Sequence, residues 1–523
     1  MAADVRTSQD ARAGRGPFAA RRRAPGAWAI PLALVVVHVV LQLQVRPNPR
    51  WNDAIFVLNY ARDFPDVPVT HHALRLGNLI PARLLIEVVG YGQLSYYVWP
   101  FLTSILLVVA CYALGSALLN RYVGTVAALL VVLSPILLWT AIEHDVERMT
   151  SWHLLPDIPT AAFFTAGLAL LVHGSGQAAT QGPRGRVRPW LLVSAGLCLG
   201  WAYLVRELAA FCFPAILVAL IAFRLPWRRW WLVAAPMVGL LVGETLLAWW
   251  VHGDALARFS VGAEHAGPPR TELSRTTALL GLGRALDNYP GWELVLALLV
   301  LTLLGAVFIR QRGLVLLATW FVSYWFPLTL VSGLLDPSSI KINMTLTRYW
   351  IPILPPVFIG GCIVVALAFA AVRRRLEPRW HGLLGALGAV LTAAVLAVYV
   401  WPVADEVAQH PGDAQWNSLR SYLSQHDDQV DAVATDERSA LILGIYKFAP
   451  AGGDAAWRAD IDTFAHSQSP APSADEIRAD VLLWTPESGA LPTSEQGWTE
   501  VWSRSELSLY VSADSPSPDQ SGG

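Results

Sequence analysis

Residues 348–375 read RYWIPILPPVFIGGCIVVALAFAAVRRR, and this stretch decides the fold class. No residue from Tyr349 to Val372 carries a charge, and three consecutive arginines follow. A helix needs roughly 20 apolar residues to cross the ~30 Å hydrocarbon core of a bilayer, so this stretch is long enough. Arginine clusters are typical of the cytoplasmic ends of such helices. The stretch therefore predicts a transmembrane helix that reaches the cytoplasm at Arg373.

The same pattern of an apolar stretch followed by a polar loop occurs about eleven times along the chain. The predicted spans lie near residues 27–46, 96–117, 122–141, 158–174, 190–205, 208–224, 231–251, 291–309, 314–335, 349–372 and 381–402. The fifth and sixth are short and closely joined, but the arginine clusters that follow them alternate correctly only if both exist. We predict an all-α polytopic membrane protein.

Charges of opposite sign collect on opposite sides of the predicted barrier. The arginine side carries Arg21–Arg23, Arg121, Arg184, Arg186, Arg188, Arg228, Arg229, Arg310, Arg312 and Arg373–Arg375. The other side carries Asp53, Asp63, Asp66, Glu143, Asp145, Glu147, Asp157, Asp254, Glu264, Asp336 and an acidic C-terminal region. The positive-inside rule then predicts a cytoplasmic N-terminus and external acidic loops in the inner (plasma) membrane. Chemistry by carboxylates would take place at the external face.

Composition supports this class. The chain has 523 residues, of which 54% are hydrophobic and 15% charged, with a mean hydropathy of +0.44. The net charge of -1 gives no indication of a nucleic-acid partner. All 4 cysteines lie in apolar stretches, so no disulfide framework is implied.

The predicted domain organisation has four parts. Residues 1–26 form a disordered cytoplasmic N-terminus without a cleavable signal pattern, and 27–403 form the transmembrane domain. A small external α/β domain covers 404–512, and 513–523 are a disordered tail. External loops are predicted at 47–95, 142–157, 252–290 and 336–348.

Local patterns add detail to the external parts. Residues Ala73–Gly90 carry Leu76, Ile80, Leu84 and Val88 at helical spacing, which favours a helix lying in the membrane interface. In the C-terminal domain, strands are predicted at Val430–Thr435 and Val481–Trp484, with a closing hairpin over Trp498–Val511.

Two aspartates at external span ends are candidate catalytic residues, because motifs of soluble enzymes are absent from the sequence. Asp53 is either a first-turn acidic residue favoured by the helix dipole or a general base whose pKa burial raises. Asp157 is either the N-cap of the fourth span, with Pro159 in the first turn, or a functional carboxylate. Capping does not exclude the second role.

Three further charged residues could line a polar cavity. Arg206 and Glu207 occupy the tight turn between two spans, where they either pair with each other or let Arg206 bind an anion. Glu244 lies within the seventh span, where an ionisable group is costly and by default faces a cavity. Packing of Glu244 against Arg206 would be a sufficient structural explanation.

Two cations stand on the external side against the general charge bias. Lys341 and Arg348 flank the loop before the tenth span. They are either snorkelling residues or a phosphate clamp, in which arginine supplies a bidentate fork and lysine a point charge. The external histidines show no strong metal-binding spacing, and we favour surface positions for His71, His72, His144, His153 and His265.

The order of these features resembles the GT-C superfamily of polytopic glycosyltransferases. It is similar to the group of dolichyl-phosphate-mannose-protein mannosyltransferases and aminoarabinose transferases. The resemblance covers roughly residues 27–405. It rests on Asp53 with Tyr60-Ala61-Arg62, on Arg75-Leu76-Gly77 through Pro81 and Gly90, on Asp157-Ile158-Pro159, on Arg206-Glu207, and on Arg348-Tyr349 with Pro352 and Pro355. The family often has an acidic pair in its first loop, whereas here Ala54 follows Asp53.

The resemblance implies transfer of a sugar from a polyprenyl-phosphate donor to an acceptor hydroxyl of a glycan, lipid or protein, with inversion. Asp53 would take the acceptor proton. Arg348, with Lys341 or Arg206, would stabilise the departing lipid phosphate. Asp157 would orient the acceptor or hold a divalent ion, which leaves the metal requirement open.

Two other classes of function remain at this point. A transporter or lipid flippase would place ionisable groups near the bilayer midplane and often contains internal repeats. A non-catalytic envelope scaffold would make Asp53 dispensable. The sequence shows no convincing repeat, and apart from Glu244 the spans are nearly free of charge. We therefore favour the transferase.

Overall fold

The computed structural model describes most of the chain. The described residues are 28–44, 53–138, 154–179, 186–264, 275–287, 289–334, 347–409, 414–450, 455–465, 471–477, 479–485, 488–504 and 507–512. The predicted disordered segments 1–26 and 513–523 lie outside these ranges, as do Lys341, His144, His153 and His265.

The described residues up to 409 are mostly helical. In chain order they are α1 (Ala29–Gln44), α2 (Asp53–Asp63), α3 (Leu76–Val89), α4 (Gln93–Leu118), α5 (Arg121–Val132), α6 (Pro135–Leu138), α7 (Asp157–Gly174), α8 (Pro189–Val205), α9 (Phe213–Ala222), α10 (Trp231–His252), α11 (Ala257–Glu264), α12 (Arg275–Leu279), α13 (Gly281–Leu286), α14 (Trp292–Phe308), α15 (Arg312–Thr329), α16 (Leu354–Arg375) and α17 (His381–Gln409). Two 3₁₀ segments matter for the site: Glu207–Cys212 and Thr347–Ile353.

Within the described residues, 6 helical segments are long and apolar enough to cross a membrane. They are Gln93–Leu118, Asp157–Gly174, Trp227–His252, Arg312–Ser332, Thr347–Arg375 and Pro378–Pro402. Shorter apolar helices of 10–17 residues occupy the other predicted positions, at Ala29–Gln44, Arg121–Val132, Pro189–Val205, Glu207–Ala222 and Trp292–Phe308. The chain is a multi-pass membrane protein.

The bundle is built around α7. This helix packs against α4 and α8, and its most apolar window is 83% buried, whereas that of α17 is 6% buried. Small residues let the helices approach closely, as is usual in membrane bundles. A Cβ atom added at Gly115 of α4 would lie 2.9 Å from the Cα atom of Gly124 of α5. The α4–α5 contact therefore requires glycine at position 115.

The segment between α1 and α4 forms α2 and α3. The predicted interfacial helix is present as α3, but its apolar residues divide between two environments. Leu79 and Ala82 are fully buried because α3 packs against α2, α4 and α8. Leu84 and Val88 are 60% and 80% exposed, as expected for side chains that meet the membrane interface.

The C-terminal region forms a mixed five-stranded sheet with two helices. Its elements are α18 (Ala414–Gln425), β1 (Ala432–Asp436), α19 (Glu437–Tyr446), β2 (Asp460–Phe464), β3 (Val481–Trp484), β4 (Trp498–Arg504) and β5 (Leu507–Ser512). The strand order is β2-β1-β3-β5-β4, with β1 parallel to β2 and β3 and the remaining pairs antiparallel. The predicted hairpin is β4–β5. Strand β2 was not predicted, because two of the five residues of its sequence DIDTF are acidic and the strand lies at the sheet edge.

The sheet region packs directly on α2 and α4. Ile55 and Leu58 of α2 share one hydrophobic core with Leu419 of α18 and Leu443 of α19. At the edge of this core, Arg420 donates a hydrogen bond to the side-chain oxygen of Gln93 at 2.8 Å. Helix α2, which begins at Asp53, is therefore held between the membrane helices and the C-terminal sheet.

Candidate active site

Asp53 is the first residue of α2, and basic side chains surround its carboxylate. Arg348 Nη1 donates a hydrogen bond to Oδ2 at 3.1 Å, and Arg75 Nη1 lies 3.6 Å from the same oxygen. His72 Nε2 lies 3.7 Å from Oδ1. Arg348 is 295 positions from Asp53 in the sequence, so the fold alone creates this contact. One carboxylate thus faces two guanidinium groups and an imidazole.

These neighbours reverse the expected pKa shift of Asp53. Burial alone would raise the pKa of the carboxyl, as the sequence prediction assumed. The charges of Arg348, His72, Arg75 and His71 outweigh burial and hold the pKa of Asp53 well below its ordinary value. The prediction of a raised pKa was therefore wrong, because it counted desolvation without the distant cations. Asp53 is a carboxylate at any physiological pH.

Asp157 forms a buried ion pair with Arg206. Asp157 is the first residue of α7, while Arg206 follows the last residue of α8 in an extended conformation. Their side chains are 2% and 3% exposed, and the Arg206 guanidinium contacts the Asp157 carboxylate directly. Pro156, not Asp157, takes the N-cap position, so the capping interpretation was wrong. Arg206 pairs with Asp157 and not with its neighbour Glu207.

Tyr349 connects this pair to Asp53. The guanidinium carbon of Arg206 lies 4.4 Å from the centroid of the Tyr349 ring, and that of Arg348 lies 5.3 Å away. Such distances are typical of cation–π contacts. The Tyr324 hydroxyl donates a hydrogen bond to the Tyr349 carbonyl oxygen at 2.8 Å. This bond ties α15 to the 3₁₀ segment that carries Arg348 and Tyr349. The structure therefore brings Asp53, Arg348, Arg206 and Asp157 together.

Arg75 belongs to the same cluster, although the sequence analysis assigned it no role. Its side chain is 7% exposed, and among the described residues its Nε and Nη1 atoms have no hydrogen-bond acceptor. Gly77 brings this segment against α8, since a Cβ there would lie 2.5 Å from the Val205 nitrogen. Arg75 is thereby held close to Arg206. A buried arginine with unsatisfied donors is suited to bind an anion.

Glu207 and Glu244 flank Arg258 of α11. Arg258 donates to the Glu244 carboxylate and to the Tyr203 carbonyl oxygen at 2.8 Å, and lies 3.4 Å from Glu207. Glu244 therefore does not pack against Arg206, contrary to one interpretation of the sequence. Arg258 had no signal in the sequence, because the sequence predicted residues 252–290 as a loop and the partners of Arg258 come from three other elements.

A divalent ion does not suit the charges around Asp53. Ligand atoms of Asp53, His71 and His72 all lie within 4.8 Å of one another, and these donor types are found in zinc sites. His72 is buried, so its predicted surface position was wrong. The single carboxylate, however, already faces two guanidinium groups at 3.1 and 3.6 Å. A divalent cation there would add positive charge to a group with a cationic excess.

An apolar groove of about 700 Å³ lies between the Glu207–Cys212 segment, α9, α14 and α15. Its lining includes Phe211, Pro214, Leu303, Val307, Val322 and Phe326. Along α15 it extends from Val315 to Pro327, which corresponds to about 18 Å at the helical rise of about 1.5 Å per residue. The groove is lined by Ala210 and Phe211 of the Glu207–Cys212 segment and by Ser323 and Phe326 of α15, next to Tyr324 in the chain.

Breaking the buried pair should destabilise the bundle. Asp157→Asn leaves the Arg206 charge buried without its counter-ion, and we expect a loss of about 3–5 kcal/mol in the free energy of unfolding. The double change Asp157→Asn with Arg206→Met removes both charges and should cost less than Asp157→Asn alone. Thermal unfolding in detergent checks this.

The matched control for this experiment is Glu377→Gln. Glu377 pairs with Arg379 on the surface, where the side chains are 65% and 73% exposed, and its replacement should change stability little. Equal losses for Asp157→Asn and Glu377→Gln would contradict the assignment of a buried pair.

Sequence comparison gives no match among protein-family models or curated proteins. Solved structures match over nearly the whole chain. ArnT from Cupriavidus metallidurans in the apo state has a TM-score of 0.54 at 13% identity, covering 93% of this chain and 98% of that chain. The structure of ArnT bound to undecaprenyl phosphate gives 0.52 at 12% identity with the same coverage, 93% and 98%. The Archaeoglobus fulgidus oligosaccharyltransferase in complex with Zn and sulfate gives 0.44 at 12% identity, covering 93% of this chain and 74% of that one.

The fold is that of the GT-C glycosyltransferases. The resemblance predicted from the sequence is thereby confirmed at the level of the fold. Within this GT-C fold, Asp157 begins α7, Arg206 follows α8, and Arg348 precedes α16. All three lie at the end of the bundle opposite Arg373–Arg375, which form the other end of α16. Asp157, Arg206 and Arg348 therefore share one end of the helical bundle.

Proposed function

We propose that the protein is an inverting GT-C glycosyltransferase that moves a hexosyl or pentosyl group from a polyprenyl-phosphate donor to an acceptor hydroxyl. The observation that carries this proposal is the position of one carboxylate, Asp53, directly beside the guanidinium groups of Arg348 and Arg75. In an inverting displacement the base and the phosphate-binding group lie on opposite sides of one anomeric carbon, so the Asp53–Arg348 contact would open to admit the sugar between them. The ArnT structure with the same fold is bound to undecaprenyl phosphate.

The cationic cluster and the apolar groove match the two halves of a lipid phosphate. Arg75, Arg206 and Arg348 supply planar, permanently charged forks for phosphate oxygens. The groove along α15 presents a long apolar surface, as an isoprenoid chain requires. A donor of this kind would enter from the membrane side and place its phosphate at the arginines. Lys341, outside the described residues, would remain a further candidate for this cluster.

The proposed chemistry needs only groups in this cluster. Asp53 accepts the proton of the acceptor hydroxyl while the oxygen of that hydroxyl attacks the anomeric carbon. The bond between the anomeric carbon and the phosphate oxygen breaks, and the lipid phosphate leaves with the bonding electrons. Arg348 and Arg75 stabilise the charge that develops on that phosphate. Attack from the side opposite the leaving group inverts the anomeric centre.

Asp157 would act through Arg206 and not on the acceptor. It is 2% exposed and in contact with the Arg206 guanidinium, so an acceptor has little access to it. We assign it the role of holding Arg206 in place beside Tyr349. Glu207 and Glu244 would serve as counter-ions of Arg258. The catalytic carboxylate is then Asp53 alone.

The proposed topology follows the charge distribution of the chain. Eleven spans would place the N-terminus in the cytoplasm and the C-terminal α/β domain outside, with the cluster at the external face. A sugar on a flipped lipid phosphate is presented at this face, whereas nucleotide sugars are cytoplasmic. The acceptor would be a glycan, a lipid or a protein of the cell envelope, and nothing points to a nucleic acid.

The test of this function uses the purified full chain in lipid vesicles with labelled polyprenyl-phosphate sugars. We expect label to move to an acceptor and free polyprenyl phosphate to accumulate in equal amount. Movement of the labelled lipid between leaflets without any transfer would instead identify a flippase. The absence of both activities across the sugar and acceptor classes would favour a scaffold.

We expect transfer to continue after a chelator removes divalent ions. The reason is electrostatic, since Arg348 and Arg75 already neutralise the Asp53 carboxylate. Activity is measured after exhaustive dialysis against a chelator and again after addition of zinc, manganese or magnesium. A His72→Ala variant provides the comparison. Loss of activity on dialysis, recovery with one ion, and no recovery in His72→Ala would establish a metal requirement.

A further inference from the structure

Arg258 is the centre of a buried charge group next to the candidate site. Its side chain is 8% exposed, and its guanidinium carbon lies 4.7 Å from the centroid of the Tyr203 ring. It contacts Glu244 of α10 directly, lies 3.4 Å from Glu207, and donates to the Tyr203 carbonyl oxygen at 2.8 Å. The carbonyl is one of the orphan acceptors at the C-terminus of α8, where a cation is favourable. The Arg258 guanidinium thus pairs with two carboxylates and also donates a hydrogen bond to the end of α8.

The same helix also contacts the segment that carries Arg75. Ala257 of α11 is buried against Leu74 and Ala248, and Val261 packs on the same small cluster. Leu74 immediately precedes Arg75 in the chain. Helix α11 therefore touches both segments that supply cations to the candidate site, one through Leu74 and the other through the end of α8.

Glu207 lies where it could compete for those cations. It is adjacent to Arg206 in the chain, and the charges of Arg75, Arg258 and Arg206 all act on it. Arg75 has unsatisfied donor atoms among the described residues, so it has the capacity to pair with a free carboxylate. Without Arg258, the buried carboxylate of Glu244 and the 40% exposed carboxylate of Glu207 would lose their shared counter-ion. The cations that would still act on Glu207 are Arg75 and Arg206 of the candidate site.

We propose that Arg258 is a positioning residue that neutralises Glu207 and Glu244 and so keeps Arg75 and Arg206 available to an anionic ligand. This inference rests on the proposed function, in which that ligand is the phosphate of the donor. Arg258 itself does not contact the ligand. Its effect is transmitted by Glu207, which it keeps from pairing with the arginines of the site.

The test measures the Kd of undecaprenyl phosphate for the full chain in detergent, so it does not require transfer to be observed. Arg258→Met should raise this Kd by about 10-fold, because Glu207 would then compete with the phosphate for Arg75 and Arg206. A tenfold change in Kd corresponds to ~1.4 kcal/mol. The triple variant Arg258→Met, Glu207→Gln, Glu244→Gln removes the competing carboxylates together with their counter-ion. Its Kd should return to within about 2-fold of the wild type, a difference of less than ~0.5 kcal/mol.

The control variant is Arg284→Met, which removes an exposed arginine from α13 in the same interhelical segment and should leave the Kd unchanged. Thermal unfolding is measured for every variant. If Arg258→Met does not fold, the triple variant still decides the question, since it buries no unpaired carboxylate of this group. Arg258→Lys retains the charge without the fork and should give an intermediate Kd.

Two results would overturn the inference. A triple variant that binds as weakly as Arg258→Met would show that Arg258 contacts the anion itself. An unchanged Kd in a folded Arg258→Met variant would show that Glu207 does not compete for the site. Failure of the proposed function is a separate result, in which the wild-type protein neither binds undecaprenyl phosphate nor transfers sugar.

Discussion

Replacing Asp53 by asparagine is expected to abolish sugar transfer, with a loss of ~10²–10⁴-fold in the rate from the missing general base alone. Asparagine has nearly the same shape and can still accept a hydrogen bond from Arg348, so the local packing should persist. It cannot accept the acceptor proton. The measurement is the initial rate of label transfer from a polyprenyl-phosphate sugar by the reconstituted protein at saturating donor and acceptor.

The control for this variant lies on the same helix. Asp63 is the last residue of α2, pairs with Arg62 and is 49% exposed, so Asp63→Asn should transfer at the wild-type rate. Both variants should reach the membrane in equal amounts, and Asp53→Asn should unfold at a lower temperature than Asp63→Asn, because Arg348 and Arg75 lose their counter-ion. Wild-type turnover by Asp53→Asn would remove Asp53 as the base. Equal losses in the two variants would point to a structural role for α2.

The low pKa of Asp53 is compatible with its role as a base. Burial raises the pKa of this carboxyl, and only the neighbouring cations, with Arg348 and Arg75 among them, bring it down. A donor phosphate that binds to Arg348 and Arg75 would neutralise part of that positive charge. The pKa of Asp53 would then rise, and the carboxylate would become a stronger base when the donor is in place.

Hydropathy and charge predicted much of the membrane domain, because a bilayer imposes length and sidedness on a sequence. The long spans near 96–117 and 349–372 correspond to α4 and α16, and the arginines at the end of α16 predict that this end is cytoplasmic. Asp53, Asp157, Arg206 and Arg348 were selected because they stand at span ends that the sequence predicts to be external. The fold brings these four residues into two linked pairs around Tyr349.

Contacts between segments that are distant in the chain could not be predicted from the sequence. The pKa of Asp53 depends on Arg348, which is separated from it by 295 positions, and periodicity carries no information about such a pair. Arg258 pairs with Glu244 across 14 positions and with Glu207 across 51, from a segment that the sequence predicted only as an external loop. Arg75 entered the sequence analysis only through the family resemblance and was assigned no role at the site. Each of these errors concerns which charges meet, and not which residues form helices.

Replacing Arg348 by alanine is expected to lower kcat/KM for the donor by ~10²–10³-fold, the range found when one preorganised donor to a developing charge is removed. The leaving phosphate would lose one guanidinium, while Arg75 and Arg206 would remain. Arg348→Lys keeps the charge but not the planar fork and should fall between alanine and the wild type. Arg379→Ala, which removes a 73% exposed arginine, is the matched control and should transfer normally.

The pH dependence of Arg348→Ala tests the contact of Arg348 with Asp53 separately from its contact with the donor phosphate. In the wild type, burial would raise the pKa of Asp53, but the Arg348 charge and its neighbours hold it well below the ordinary value. Removal of Arg348 takes away a lowering influence, so the pKa of Asp53 must rise and the base must protonate at higher pH. The residual activity of Arg348→Ala should therefore decline on acidification at a higher pH than the activity of the wild type or Arg379→Ala. If the acidic side of the pH–activity profile and the dependence on donor concentration are both unchanged in Arg348→Ala, Arg348 acts neither on Asp53 nor on the donor phosphate.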